Sequence, residues 1–529
     1  MKRKTILLAA LLLPLGLGAQ NLNPEVQVTN EYQTRVEDAS KMGSAMRIPD
    51  SLLRFDYHFD YSVFDSPYKG SYEFSPYAVS ITPSTRTYDG RKFYLRAGAG
   101  YVMKPELDLV WTAVDGKKIA VNFFASGSGF WGRYLKITEK TLVADKSVRE
   151  TGWDFSNVAG VDARVRLGDF LVRTELGYDG IFTGHDFFHN DVGHAPYALV
   201  SLSYGKFNQY NYSLAARYRY VSDRHDVWGR EQDHDVRVDG AFYPFISDNV
   251  RTGLDLAFNY NTAFWGFELS PNVQFRTGKA FEMKLGLRTG YSDKYVISPD
   301  VRFTFHLVKD YLDMYLAAEG RNNMLSYWDF RKLYHFYSYS YAEPAPVREI
   351  ADCVLGFTGR ADFGLRYSLK GGYRFLENAP FMAVSASLDN ETFVTQDAQM
   401  LHADLEFAWE SERFDMDGAV RYVWMPQGVE DYVFMPADVT ASLSAKYNWK
   451  KRIWAGISGA MSTARTAQVA GQTVQMPWYL DLGVSAEYKL NKRVGFWLKG
   501  SNLLNHEVRQ GPFHCPYGPS VIAGITLSL

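Results

Sequence analysis

Three histidines and two aspartates fall within one stretch, Gly184-His185-Asp186-Phe187-Phe188-His189-Asn190-Asp191-Val192-Gly193-His194. On a helical turn His185 and His189 would share one face, and imidazole beside carboxylate suits a transition metal. His185, His189 and His194 are therefore the chain's weak metal candidates. The plainer reading is a solvated loop or hydrogen bonding at a rim, because exposed loops collect His and Asp freely. A second group, His225, Asp226, Asp233, His234 and Asp235, carries the same two readings. No metal is assigned.

The region from Arg321 to Arg348 is the most aromatic connection of the chain. Tyr327, Trp328, Phe330, Tyr334, Phe336 and Tyr337 are its candidate ligand or partner contacts, since rings stack on sugars and planar ligands and anchor interfaces. Packing within a loop, or an aromatic girdle on a strand, competes with that reading. Catalysis needs a denser constellation. The chain has no nucleophile elbow, no dense metal motif and no glycine-rich phosphate loop. Ser126-Gly127-Ser128-Gly129, with Gly132, comes nearest and reads as a flexible connection. The chain is read as a non-enzyme, with no catalytic residue and no cofactor.

The elements that must carry these residues follow from an odd/even alternation running from about Phe93 to Leu529. Phe281, Met283, Leu285, Leu287 and Tyr291 hold one parity, and Glu282, Lys284 and Arg288 hold the other. A strand sends successive side chains to opposite faces, so one face meets something apolar and the other something wet. Charges on the polar parity, such as Arg164, Arg173, Glu175 and Asp239, must all turn inward, because one at the bilayer midplane costs about 2–4 kcal/mol. Tight turns recur at Gly168-Asp169, Gly278-Lys279 and Asn491-Lys492-Arg493, and longer connections lie between them. At roughly 20 residues per strand and connection, the chain accommodates on the order of 22 strands. The fold class is all-β: a large antiparallel transmembrane barrel with short periplasmic turns and long extracellular loops. Trp153, Trp265, Trp424, Trp454 and Trp478, near strand ends, read as interfacial anchors.

Export fits this reading. Lys2, Arg3 and Lys4 precede an apolar run from Ile6 to Leu17, and small residues follow, so residues 1–19 read as a secretory signal. The run is too short for a helical span, which needs about 20 apolar residues. The chain has 36 Tyr, 35 Phe and 12 Trp, yet its mean hydropathy is −0.25, as expected when half of each strand faces a polar lumen. A net charge of −2 gives no sign of a nucleic-acid partner. Cys353 and Cys515 either pair or stay free thiols. Residues 20–91 differ: five prolines interrupt them, and only Phe55 to Val63 alternate cleanly. They read as a periplasmic or lumen-lining extension, with the barrel at 92–529.

The segment Tyr479 to Leu490, then Val494 to Lys499, then Asn502-Leu503-Leu504-Asn505, resembles the C-terminal end of TonB-dependent receptor barrels, as Tyr367 to Phe381 resembles a mid-barrel portion. The resemblance implies solute transport or docking across the outer membrane of a Gram-negative cell. Residues 20–91 are too few for that family's plug, so direct coupling to TonB is not carried over. The alternative is an accessory subunit of an outer-membrane assembly or secretion complex. Expected partners are outer-membrane lipids and surface lipoproteins or other envelope proteins.

Overall fold

The computed structural model describes residues 92–529, apart from 139–142, 186–189, 207–208, 226–228, 248, 278–279, 310, 337–344, 385–390 and 510. The signal, the 20–91 extension, His189, Asp226 and Tyr337 lie outside the described residues, and the side chains of His185 and His225 are likewise not described.

The wall begins with β1 (Phe93–Tyr101), β2 (Glu106–Asp115), β3 (Ile119–Thr138), β4 (Val143–Leu167), β5 (Phe170–His185), β6 (Asp191–Lys206), β7 (Gln209–His225) and β8 (Gly229–Ile246). It continues through β9 (Val250–Tyr260), β10 (Trp265–Thr277), β11 (Phe281–Tyr291), β12 (Tyr295–Val308) and β13 (Leu312–Asn323). A short helix, α1 (Tyr327–Leu333), precedes β14 (Val347–Arg360), β15 (Leu365–Val384), β16 (Glu391–Glu410), β17 (Phe414–Trp424), β18 (Val439–Trp449) and β19 (Ile453–Ser462). A separate hairpin, β20 (Arg465–Val469) and β21 (Gln472–Met476), is followed by β22 (Tyr479–Lys489), β23 (Val494–Ser501) and β24 (Ser520–Ser528). Every wall strand pairs antiparallel with its neighbour, β19 passing directly to β22, and β24 returns to β1. The result is a closed sheet of 22 strands. Closure leaves no edge of unpaired backbone groups in lipid. At the seam the amides of Lys92 and Phe93 donate to the Leu529 carbonyl at 2.8 and 2.9 Å.

Register sets which side chains face lipid. Phe281, Met283, Leu285 and Leu287 of β11 lie opposite Phe305, Phe303, Val301 and Pro299 of β12, and Leu287 is 49% exposed. Their alternates point inward and pair across strands: Lys284 Nζ is 3.0 Å from Asp300, and Arg173 Nε is 2.6 Å from Asp162. Aromatic rows border the apolar band. Phe170, Tyr204, Tyr212 and Phe242 form one at the short-turn rim, with centroids 4.7, 5.9 and 4.9 Å apart. Trp265, Tyr291 and Tyr295 mark the opposite rim at 5.3 and 4.9 Å.

Two expectations need correction, and one alternative left open is decided. Ser126 to Gly129 is not a connection but part of β3, where the Ser126 hydroxyl donates to Asp108 at 2.8 Å. Small residues there let Phe155 of β4 lie flat on the strand, where a Cβ at Gly129 would collide with its ring. Trp454 has inward parity and carries Lys489 Nζ 3.9 Å from its ring centroid, whereas Trp265, Trp424 and Trp478 are exposed. The two cysteines do not pair: Cys353 faces outward on β14, and Cys515 is buried in the β23–β24 connection.

Candidate functional site

Residues 324–336, the first part of the β13–β14 connection, turn inward instead of standing above the rim. Ser326 starts α1 through a reciprocal cap: its hydroxyl accepts from the Asp329 amide, and the Asp329 carboxylate accepts from the Ser326 amide at 3.0 Å. Seven residues cannot sustain a helix alone, so contacts with the wall must hold it. Trp328 is fully buried, and its Nε1 donates to Asp179 of β5 at 3.0 Å. Lys332 pairs with the same carboxylate. Tyr327 donates its hydroxyl to Asp223 of β7 at 2.6 Å, and Arg331 Nε reaches Asp223 at 2.6 Å with both charged groups shut off from solvent. Arg219 of β7 binds Ser326 at 2.8 Å, Asp329 at 3.0 Å and Asp235 of β8 at 2.5 Å, and Arg217 shares Asp235 at 3.0 Å.

Four cations, Arg217, Arg219, Arg331 and Lys332, thus face four anions, Asp179, Asp223, Asp235 and Asp329. Burial opposes charge on Asp329, but Arg219 and Arg217 override it and hold its carboxyl well below the usual carboxylate range. Burial, reinforced by Asp223, pushes the Tyr327 hydroxyl far above its ordinary value, so it remains a donor.

Past the helix the segment crosses toward other walls. His335 Nδ1 lies 2.6 Å from Asp154 of β4. Tyr334 bonds His514 Nδ1 at 2.6 Å, Phe336 stacks on the His514 ring at 3.4 Å between centroids, and both Tyr334 and Phe330 lie against Phe393 of β16. Tyr327, Trp328, Phe330, Tyr334 and Phe336 are therefore brought together, and all are buried in this arrangement. Above them, Leu135 and Ile137 of β3, Val384 of β15, Phe434, Phe513, Cys515 and the β20–β21 hairpin form one apolar cluster. In the closed ring β3 and β15 stand nearly opposite each other, so the cluster bridges the mouth.

The metal candidates do not converge. His194 is exposed on the outer face, its Nδ1 2.6 Å from the Tyr178 hydroxyl, and the alternation of β6 points Asp191 the other way. In β8, His234 likewise faces out while Asp233 and Asp235 are buried inside. Among the described residues no His/Cys/Asp/Glu group could hold a metal ion. The sequence reading missed a second inward cluster on β14–β17: His402 lies 2.8 Å from Asp352 and 3.3 Å from Asp404, with Arg374 and Arg421 completing it at 2.8 and 2.6 Å. Its only sequence mark is that His402 and Asp404 share the polar parity of their strand.

In the Asn502-Leu503-Leu504-Asn505 turn both asparagines take positive φ, 49° and 54°, which Asn tolerates better than most side chains. The Asn502 side chain clips the turn, accepting from the His506 amide at 2.9 Å and donating to its carbonyl at 3.0 Å.

Neither a family model nor a curated protein matches the chain in sequence. Solved structures match it in fold. The siderophore receptor PirA from Acinetobacter baumannii is similar at a TM-score of 0.61 and 9% identity, over 83% of this chain and 80% of that one. The ferric enterobactin receptor PfeA from Pseudomonas aeruginosa, as a double mutant, gives 0.60 at 9% identity with the same coverage. The FrpB iron transporter from Neisseria meningitidis gives 0.60 at 11% identity, over 83% and 81%. The described residues form a closed 22-stranded antiparallel β-barrel with the fold of these receptors and transporters.

Proposed function

We infer that the protein is a non-enzymatic outer-membrane barrel for solute transport or docking, in which the β13–β14 connection is the built-in constriction. The carrying observation is the placement of α1 against β5, β7 and β8 by eight balanced charges. A connection serving only as a surface loop has no use for so many desolvated ions, each of which is expensive to bury unless paired. Held this way, the segment narrows the lumen, and its release widens it. The solved structures of similar fold carry the names of receptors and transporters, which supports the transport reading.

Residues 20–91 belong to this proposal only as the sequence reads them, a periplasmic or lumen-lining extension. An accessory-subunit role, with surface lipoproteins or other envelope proteins as partners, is the second reading, favoured by the apolar cluster bridging the mouth. Planar-bilayer recordings test the proposal on the full chain and on a form lacking 20–91, each with and without Arg331→Ala. Transport predicts conductance that rises when Arg331 is removed. Silence in all four, together with a partner that stays bound in mild detergent, replaces transport by the accessory role.

A further inference from the structure

The outer face of β5–β8 is graded from apolar to cationic. Its even-numbered residues face lipid, beginning at the Phe170, Tyr204, Tyr212 and Phe242 row and passing through exposed Leu176, Val200, Leu202 and Leu214. Higher up, Tyr220 lies opposite His234, and Ser222 lies opposite both His194 and Gln232. In the topmost row Arg224 is directly opposite Arg230, and both are exposed. These arginines stand twelve residues beyond Tyr212 and Phe242. At ~3.4 Å per residue and a tilt of ~40° they rise about 30 Å above that row, just beyond an apolar band ~25 Å tall.

Two like charges directly opposite on one face repel. Among the described residues neither arginine has an ion pair; Arg230 Nε donates only to the Ser222 hydroxyl, at 3.0 Å. No carboxylate occurs among the described outward residues of these four strands. Asp179, Asp223, Asp233 and Asp235 of the same strands all point inward and are buried. The two outward imidazoles are each tied at one nitrogen, His194 Nδ1 to Tyr178 at 2.6 Å and His234 Nδ1 to Tyr218 at 2.9 Å. This leaves Nε2 of each for another donor or acceptor.

We propose that this patch docks the phosphorylated glycolipid headgroup of the outer leaflet, a phosphate bridging Arg224 and Arg230 and sugar hydroxyls meeting Ser222, Gln232 and the histidines. Guanidinium forks match phosphate oxygens, and the acyl chains continue onto the apolar surface directly below. The continuity from apolar strand to cationic rim favours a lipid over a soluble phosphate. This holds whichever role the lumen serves.

Native mass spectrometry of the full-length protein in detergent tests it, with three probes: a phosphorylated outer-leaflet glycolipid, the same glycolipid after phosphatase treatment, and inorganic phosphate. Retention of the phosphorylated form is expected to fall roughly tenfold or more in R224Q/R230Q and to be unchanged in K450Q/K451Q at the opposite rim. Heat-modifiable migration of each variant confirms a folded barrel. R224K/R230K, which keeps the charge, should recover part of the binding. Equal retention by wild type and R224Q/R230Q overturns the proposal, as does equal binding of the phosphatase-treated lipid. Displacement of the glycolipid by millimolar inorganic phosphate also overturns it, because the site would then take phosphate rather than lipid.

Discussion

Asp223 accepts from both Tyr327 and Arg331 while fully withdrawn from water, so its environment is tolerable only while both partners are present. Arg331→Ala strands that carboxylate, and losing one member of a buried pair costs about 3–5 kcal/mol. Proteolysis within 324–346 should then accelerate on the order of 100-fold or more, with the barrel still folded. An unchanged cleavage rate would show that the wall does not hold the helix. Asp329 adds a pH dependence. Its folded carboxyl sits below the unfolded value of about 3.9, so its stabilisation is complete above that pH and fades only as pH falls through the lower folded value. The segment should therefore stay fully protected down to about pH 4 and lose protection progressively only as pH falls further toward the folded value, whereas Asp329→Asn should be susceptible already at pH 7.

Among the elements, the strands were legible because their two faces meet different solvents, and charge marked the parity. In β11 the lysine, glutamate and arginine fix which side is inside. In β19 the inward set after Trp454 is Gly456, Ser458 and Ala460, with no charge to mark it, so the sequence does not show that Trp454 faces inward rather than outward at its strand end. The helix α1 was illegible for another reason. Seven residues are too few for a periodic signal, and aromatic density served a girdle and a buried segment equally well; only the Ser326 and Asp329 spacing hinted at a cap. The carboxylates that receive it are distant in sequence, and pairing across a barrel is not encoded locally. The β20–β21 hairpin makes a separate claim. It lies outside the 22-stranded wall but supplies Val469, Val474 and Met476 to the cluster around Cys515. Deleting residues 465–476 should leave heat-modifiable migration intact while Cys515 becomes reactive to a hydrophilic maleimide. Cys353, facing lipid, should stay silent in both forms. A Cys515 that remains protected would mean that the hairpin does not cover the mouth.

For the molecule as a whole, the wall separates two chemistries within one residue's span. Leu287 is exposed on the outer face while Arg288 lies 3.4 Å from Glu268 inside. Leu287→Arg, midway between the rims of β11, should lower stability in bilayers by about 2–4 kcal/mol in urea titrations. A change of a few tenths would place that residue out of the hydrocarbon.

The seam between β24 and β1 carries a consequence for biogenesis. No hoop of this kind is sealed until its final stave arrives, so the nascent polypeptide must be chaperoned as an open ribbon until β24 is delivered to β1. Mutations that weaken this last join, such as replacing Ile525 or Leu527 by proline, should strand the polypeptide as protease-sensitive material before insertion rather than yield a leaky but inserted pore.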